Sequence, residues 1–180
     1  MIKVLYFGSF NPVHFGHVAV AEYVAAMQEV DSVIVVPSPH NPFKDVSVLA
    51  DPQLRLEEVR KAFAGGSSKI MVSDIEYHMQ EPLYTVNTLH AMKAMEENAE
   101  LVLLIGADNA AGLERWYRGQ DIIKEFQVWV YPRSGSDGAS LCRMYNDMPG
   151  VRGFRFLEGA PLQDISSTQI RNQLNKNQIP

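Results

Sequence analysis

The sequence predicts an α/β fold, a doubly wound parallel sheet with helices on both faces and a short C-terminal helix. Two observations predict it. Short β-rich runs alternate with segments of helical periodicity along nearly the whole chain. The most apolar runs, Val33-Ile34-Val35-Val36 and Leu101-Val102-Leu103-Leu104-Ile105, have the length of strands buried on both faces. A length of 180 residues, 46% hydrophobic and 21% charged, suits one globular domain spanning 1–180.

Taken in order, residues 2–7 read as a first strand and 16–28 as a helix carrying Val18, Ala21, Val24, Ala25 and Met27. Residues 32–36 read as a second strand. Residues 51–64 read as a helix, because Asp51 suits an N-cap and Pro52 the first turn. Residues 70–72 are the third strand, and 84–97 a helix with Val86, Leu89, Met92 and Met95 on one face. Strands follow at 101–105 and 127–131. Residues 133–150 read as a long polar connection. A last strand is expected at 154–157 and a terminal helix at 166–175.

Charge and composition exclude several classes. A net charge of −5 and a pI of about 5.5 lack the basic surplus that grips a nucleic-acid backbone. No apolar run reaches the roughly 20 residues that span a bilayer, and the N-terminus does not read as a secretory signal. The lone Cys142 cannot form an internal disulfide and reads as an inert thiol. A cytoplasmic protein is the expectation.

In a doubly wound sheet, ligands bind beyond the carboxyl ends of the strands. The first such loop reads Gly8-Ser9-Phe10-Asn11-Pro12-Val13-His14-Phe15-Gly16-His17 and runs into a helix. Gly8 permits a tight turn with close backbone approach, and Gly16 a close passage past whatever the loop encloses. Pro12 keeps the helix from starting early. His14 and His17 are three apart, so the first helical turn can place both on one side. Free N–H groups and the positive end of the helix dipole favour an anion there. Two imidazoles can add donors to phosphate oxygens. Surface histidines or a metal pair are the alternatives, but no Cys, Asp or Glu stands at ligand spacing, so no metal site is expected.

Ile165-Ser166-Ser167-Thr168-Gln169-Ile170-Arg171 carries a second signal. Ser166 with Gln169 matches a capping box, which needs no ligand. The remaining hydroxyls of Ser167 and Thr168, with Arg171 one turn on, suit a second anion site.

Together these two segments resemble the HxGH nucleotidyltransferases, and most closely the bacterial nicotinate-nucleotide adenylyltransferase family. Tyr84-Thr85 with Thr88-Leu89 resembles its YTxxTL helix start. Ile105-Gly106-Ala107-Asp108-Asn109 with Trp116 resembles its GxD…W segment, and Tyr131-Pro132-Arg133-Ser134-Gly135 its R-P-G loop. There are departures. Asn11 stands where the family usually has Asp, Asn41-Pro42-Phe43-Lys44 replaces its PPHK, and Ser134 replaces its Pro.

The resemblance implies a Rossmann-like fold and transfer of the AMP moiety of ATP to nicotinate mononucleotide, with Mg²⁺ arriving on ATP. It implies His14, His17, Lys44 and Arg171 as the catalytic, phosphate-holding set. Gly8, Ser9, Phe10, Gly16, Asp108, Ser167 and Thr168 would complete the ATP site. Thr85, Trp116 and Tyr117 would receive the acceptor, the indole by stacking and backbone N–H groups by binding its carboxylate. Asp108 reads alternatively as an N-cap for residues 109–114. Sister transferases acting on nicotinamide mononucleotide or phosphopantetheine remain open, as does a non-catalytic nucleotide-binding module. The phosphopantetheine enzyme typically has Thr at the position of His14. The oligomeric state stays open, with a homodimer one of the options.

Overall fold

The computed structural model describes residues 1–40, 50–162 and 167–176. Six parallel strands form one sheet in the order β3-β2-β1-β4-β5-β6. They are β1 (Ile2–Gly8), β2 (Val30–Pro37), β3 (Ile70–Val72), β4 (Glu100–Gly106), β5 (Gln127–Tyr131) and β6 (Phe154–Phe156). The helices are α1 (Phe15–Ala25), α2 (Pro52–Phe63), α3 (Thr85–Met95), α4 (Ala107–Ala110), α5 (Gly119–Glu125), α6 (Gly138–Asn146) and α7 (Ser167–Lys176). This is the Rossmann-like arrangement, and the chain reverses its winding between β1 and β4.

Strand pleat divides the core into two layers, because successive side chains point to opposite faces. Leu5, Leu103, Ile105, Val128 and Val130 pack with Val86, Leu89 and Met92 of α3, Ile122 and Ile123 of α5, and Tyr145 of α6. Their neighbours Val4, Tyr6, Val102, Leu104 and Trp129 pack with Val20, Ala21 and Val24 of α1 and Val59 and Phe63 of α2. Both layers are built mainly from apolar side chains, which is why the central strands read as continuous hydrophobic runs.

Local chemistry sets the helix starts. Asp51 Oδ1 accepts from the N–H groups of Gln53 (2.9 Å) and Leu54 (3.1 Å), and Pro52 opens α2. The stretch 133–150 is not one long connection, because it contains α6. Asp137 caps that helix by accepting from Ser140 N–H at 3.0 Å. Tyr145 anchors it, donating to Ala110 O (3.1 Å) and stacking on Phe154 with ring centroids 4.2 Å apart. Asn146 brackets Phe154 with hydrogen bonds to its N–H and its carbonyl. Cys142 lies buried in α6 rather than in a loop, and burial pushes its thiol up to about 11, consistent with the inert reading. No helix among the described residues is long and apolar enough to cross a membrane.

Candidate active site

The loop after β1 is tightly constrained. Phe10 is buried and takes a left-handed backbone with φ of 45°, which costs about 1–3 kcal/mol for a residue with a Cβ. Its ring closes over Gly8, so that a Cβ at Gly8 would lie 2.9 Å from Phe10 Cζ. The close approach expected at Gly8 is therefore made by this ring. The same ring meets His17 edge-on at 4.9 Å and Tyr6 at 5.7 Å. Gly16 is buried in the first turn of α1.

His14 is the N-cap of α1, and its N–H donates to His17 Nδ1 at 3.2 Å. This is half of a capping box, with imidazole in place of the usual carboxylate. It also fixes a tautomer: with Nδ1 accepting, neutral His17 must carry its proton on Nε2. The His14 ring lies nearly parallel to that of His17, centroids 3.7 Å apart. His14 Nδ1 and Ser9 Oγ are buried with no hydrogen-bond partner among the described residues. Burial, and then the Arg133 guanidinium, hold the His14 imidazole below its usual range, so it stays neutral near pH 7.

α7 docks onto this loop. Ser167 Oγ donates to Pro12 O at 2.9 Å, and Arg171 Nη1 donates to Asn11 O. Arg171 Nη2 donates to Thr168 Oγ1 at 3.0 Å. The expected second anion cluster thus stands beside the first loop, with Ser167 and Arg171 engaged on its carbonyls. Lys44, the rest of 41–49, and Ser166 with its expected capping box lie outside the described residues.

A cavity of about 520 Å³ opens at the switch point. Gly8, Ser9, Thr85, Asp108, Trp116 and Tyr117 all line it. His14, His17, Phe10, Gly16, Ser167, Thr168 and Arg171 are not on its wall; they form the adjoining cluster, joined to it through Gly8 and Ser9. Thr85 opens α3, so its N–H is one of the orphan donors of a helix start. Trp116 ends the 3₁₀ turn Leu113–Arg115 and packs one side on the core. Tyr117 stacks on Tyr84 at 4.2 Å. Asp108 does not cap a helix over 109–114. It sits inside α4, whose N-cap is Gly106, and faces Arg133 Nε at 3.4 Å. A Cβ on Gly106 would lie 2.5 Å from Asp108 Oδ1 and 2.9 Å from Arg133 Cγ, so this pair needs a glycine beneath it.

Three residues given no role by the sequence reading belong to this region. Arg133 acts on both halves of it, on Asp108 by contact and on His14 through its charge. Arg55 is fully buried below the first loop. Glu76 lines the cavity yet is only 3% exposed. Its Oε1 accepts from Thr88 Oγ1 at 2.7 Å, and Oε2 has no hydrogen-bond partner among the described residues. Burial pushes the Glu76 carboxyl upward. Below about pH 4.3, the ordinary Glu value, folded and unfolded chains both hold its proton. Above it the unfolded chain ionises first, so stability falls as pH rises toward the folded value. The stabilisation of Glu76→Gln relative to the parent should therefore grow in thermal melts as pH rises above about 4.3, the ordinary Glu value. A difference independent of pH would show that Glu76 ionises as freely folded as unfolded.

The remaining histidines stand apart from this chemistry. His78 lies 3.6 Å from Asp74, His90 lies 2.8 Å from Glu125, and His40 pairs with Glu81. Among the described residues no group of three or more His, Cys, Asp or Glu could hold a metal ion. The site thus joins an indole face and helix-start N–H donors to an imidazole pair at an anion-favouring helix start.

Comparison with known proteins decides the family. A model of the cytidylyltransferase-like family matches residues 5–173. A "probable nicotinate-nucleotide adenylyltransferase" of Bacteroides fragilis is 37% identical over 172 residues, covering 94% of this chain and 80% of that protein. One of the same name from Caldicellulosiruptor saccharolyticus is 36% identical over 179 residues, covering 98% and 88%. The chain belongs to the cytidylyltransferase-like family, among its nicotinate-nucleotide adenylyltransferases. The fold agrees. Nicotinic acid mononucleotide adenylyltransferase of Plasmodium falciparum, in complex with NaAD, superimposes with a TM-score of 0.79. It is 18% identical, covering 96% of this chain and 83% of that one.

Proposed function

We propose that this enzyme joins nicotinate mononucleotide to the AMP moiety of ATP, giving deamido-NAD and pyrophosphate. The observation that carries the reading is one cavity lined by Gly8, Ser9, Thr85 and Trp116, beside the His14–His17 pair. Family membership agrees with it.

In this reaction an oxygen of the acceptor's 5′-phosphate attacks the α-phosphorus of ATP. The bond to the bridging oxygen breaks, and pyrophosphate leaves with that electron pair. A phosphate monoester is largely dianionic at neutral pH, so the nucleophile needs no general base. Pyrophosphate is a competent leaving group, so no covalent intermediate is required. Catalysis rests on in-line positioning and on donors aimed at the developing charge.

His17 donates from Nε2 to an α-phosphate oxygen, and His14 and Ser9 Oγ supply the neighbouring neutral donors. Lys44, Arg171 and Thr168 hold the β- and γ-phosphates, and Arg133 adds charge beside Asp108. ATP would enter as its magnesium complex, the metal supplying positive charge that offsets the phosphates. Trp116 stacks on the pyridine ring. Backbone N–H groups at Thr85 and Tyr117 bind its carboxylate, which favours the acid over the amide.

Pyrophosphate release from MgATP tests this directly, with nicotinate mononucleotide, nicotinamide mononucleotide and phosphopantetheine offered separately. The nicotinate compound should be preferred strongly. Preference for another acceptor would overturn the acceptor pocket and leave the transfer chemistry standing. Release with none of the three would overturn the enzymatic reading.

A further inference from the structure

Among the described residues Arg55 is the largest fully buried side chain. It stands on α2 in the stripe shared with Leu56, Val59 and Phe63, where an apolar residue would be expected. The contacts of its guanidinium are backbone carbonyls. Nη1 donates to Ser9 O (2.7 Å) and Ser38 O (2.9 Å), Nη2 to Pro39 O (2.6 Å), and Nε to Ala50 O (3.0 Å). These acceptors belong to three separate stretches. Ser9 follows β1 in the proposed phosphate loop, Ser38 and Pro39 follow β2, and Ala50 leads into α2.

Burying a cation costs stability, and apolar packing of the same volume is often at least as stable. What an arginine alone supplies is a rigid planar fork whose donors are set at fixed angles. Here the fork fixes carbonyls of the loops after β1 and β2 relative to each other. A second tie reinforces it: Ala50 N–H donates to Asn11 Oδ1 at 3.2 Å, so Ala50 is held from both sides. Asn11 O in turn accepts from Arg171 of α7. Arg55 therefore underlies Ser9 and, through Ala50 and Asn11, the turn on which Arg171 docks. Of its partners Ser9 and Ser38 line the cavity, and none belongs to α3 or to the Leu113–Tyr117 stretch that carry Thr85 and Trp116.

We propose that Arg55, with Asn11, is a positioning residue for the triphosphate half of the site: it sets the phosphate loop and leaves acceptor binding untouched. This rests on the adenylyltransferase reading for the identity of the acceptor. The ATP half can be tested without turnover.

The experiment compares Arg55→Lys with the parent by calorimetry, with MgATP and nicotinate mononucleotide titrated separately, beside thermal melts and steady-state rates. Lysine keeps a cation and a long stem but offers a point donor that cannot hold all four carbonyls of the two loops. The MgATP Kd should weaken about tenfold or more, as for loss of hydrogen bonds to a charged group. The nicotinate mononucleotide Kd should stay within about twofold, a difference too small to register one lost hydrogen bond, and kcat should fall with the MgATP effect. A folded Arg55→Lys with parental MgATP affinity, or with both affinities weakened alike, overturns the proposal and leaves Arg55 a purely structural residue. If Arg55→Lys does not fold, Asn11→Ala carries the test, since it loosens Ala50 without burying an unpaired charge. It should weaken MgATP selectively, and unchanged or equal affinities again overturn the proposal. If the parent binds MgATP but adenylylates no nicotinate mononucleotide, the functional reading fails, while the MgATP comparison still decides the role of Arg55.

Discussion

His17→Ala should lower kcat by about 10²–10³, the usual cost of removing one preorganised oxyanion donor, while the KM for MgATP moves only a few-fold. The reason lies in how the ring is held. His14 N–H occupies Nδ1, Phe10 and His14 flank the imidazole, and Tyr6 lies behind it. The proton on Nε2 is thus oriented before substrate arrives, so no reorganisation is needed as charge builds on the α-phosphate oxygens. In the proposed site several other groups would hold ground-state ATP, so losing one donor should barely alter binding. His17→Gln keeps a donor without the ring and should recover only part of the rate. Steady-state pyrophosphate release across an ATP titration checks this. An unchanged kcat, or a loss carried entirely by KM, would remove His17 from the transition state.

Legibility in the sequence follows how local the determinants are. β1, β2, β4 and β5 could be read because strands buried on both faces must be apolar throughout. α2 could be read because Asp51 and Pro52 act on the very next residues. α6 could not. Its first turn is Gly138-Ala139-Ser140, and it is held by Tyr145 reaching Ala110 and by Asn146 reaching Phe154, contacts that no local periodicity reveals. Asp108 was half-legible: its place after β4 is where ligands bind, but its partner Arg133 comes from beyond β5.

The same rule divides the site. His14, His17 and Ser9 lie within one short loop, so their proximity shows in the sequence. Arg55, Glu76 and Arg133 act on groups far away in the chain. Arg55 did leave a trace, a cation on the apolar stripe four residues before Val59. Its meaning depends on carbonyls, which carry no sequence signature. Glu76 left a weaker one, since its partner Thr88 is the polar residue inside the apolar face of α3. A charged residue on an otherwise apolar stripe thus points to a buried partner the sequence cannot name.

Trp116→Ala should raise the KM for nicotinate mononucleotide while leaving that for MgATP near the parent value. Stacking on an aromatic face is worth about 1–3 kcal/mol, which corresponds to roughly 5- to 150-fold in affinity. The indole has a competing role, because part of it packs against the core residues of the β4 side. The two roles predict different data. A packing role lowers Tm and leaves the KM values of the folded enzyme alone. A stacking role raises one KM selectively, and Trp116→Phe should restore most of the loss, because a smaller flat ring still stacks. Tyr117 shows why the effect should centre on Trp116: its own ring already stacks on Tyr84, so in the proposed pocket it would offer the acceptor only its backbone N–H. A lowered Tm with unchanged kinetics would assign Trp116 to the core and return the acceptor pocket to the backbone donors of Thr85 and Tyr117 alone.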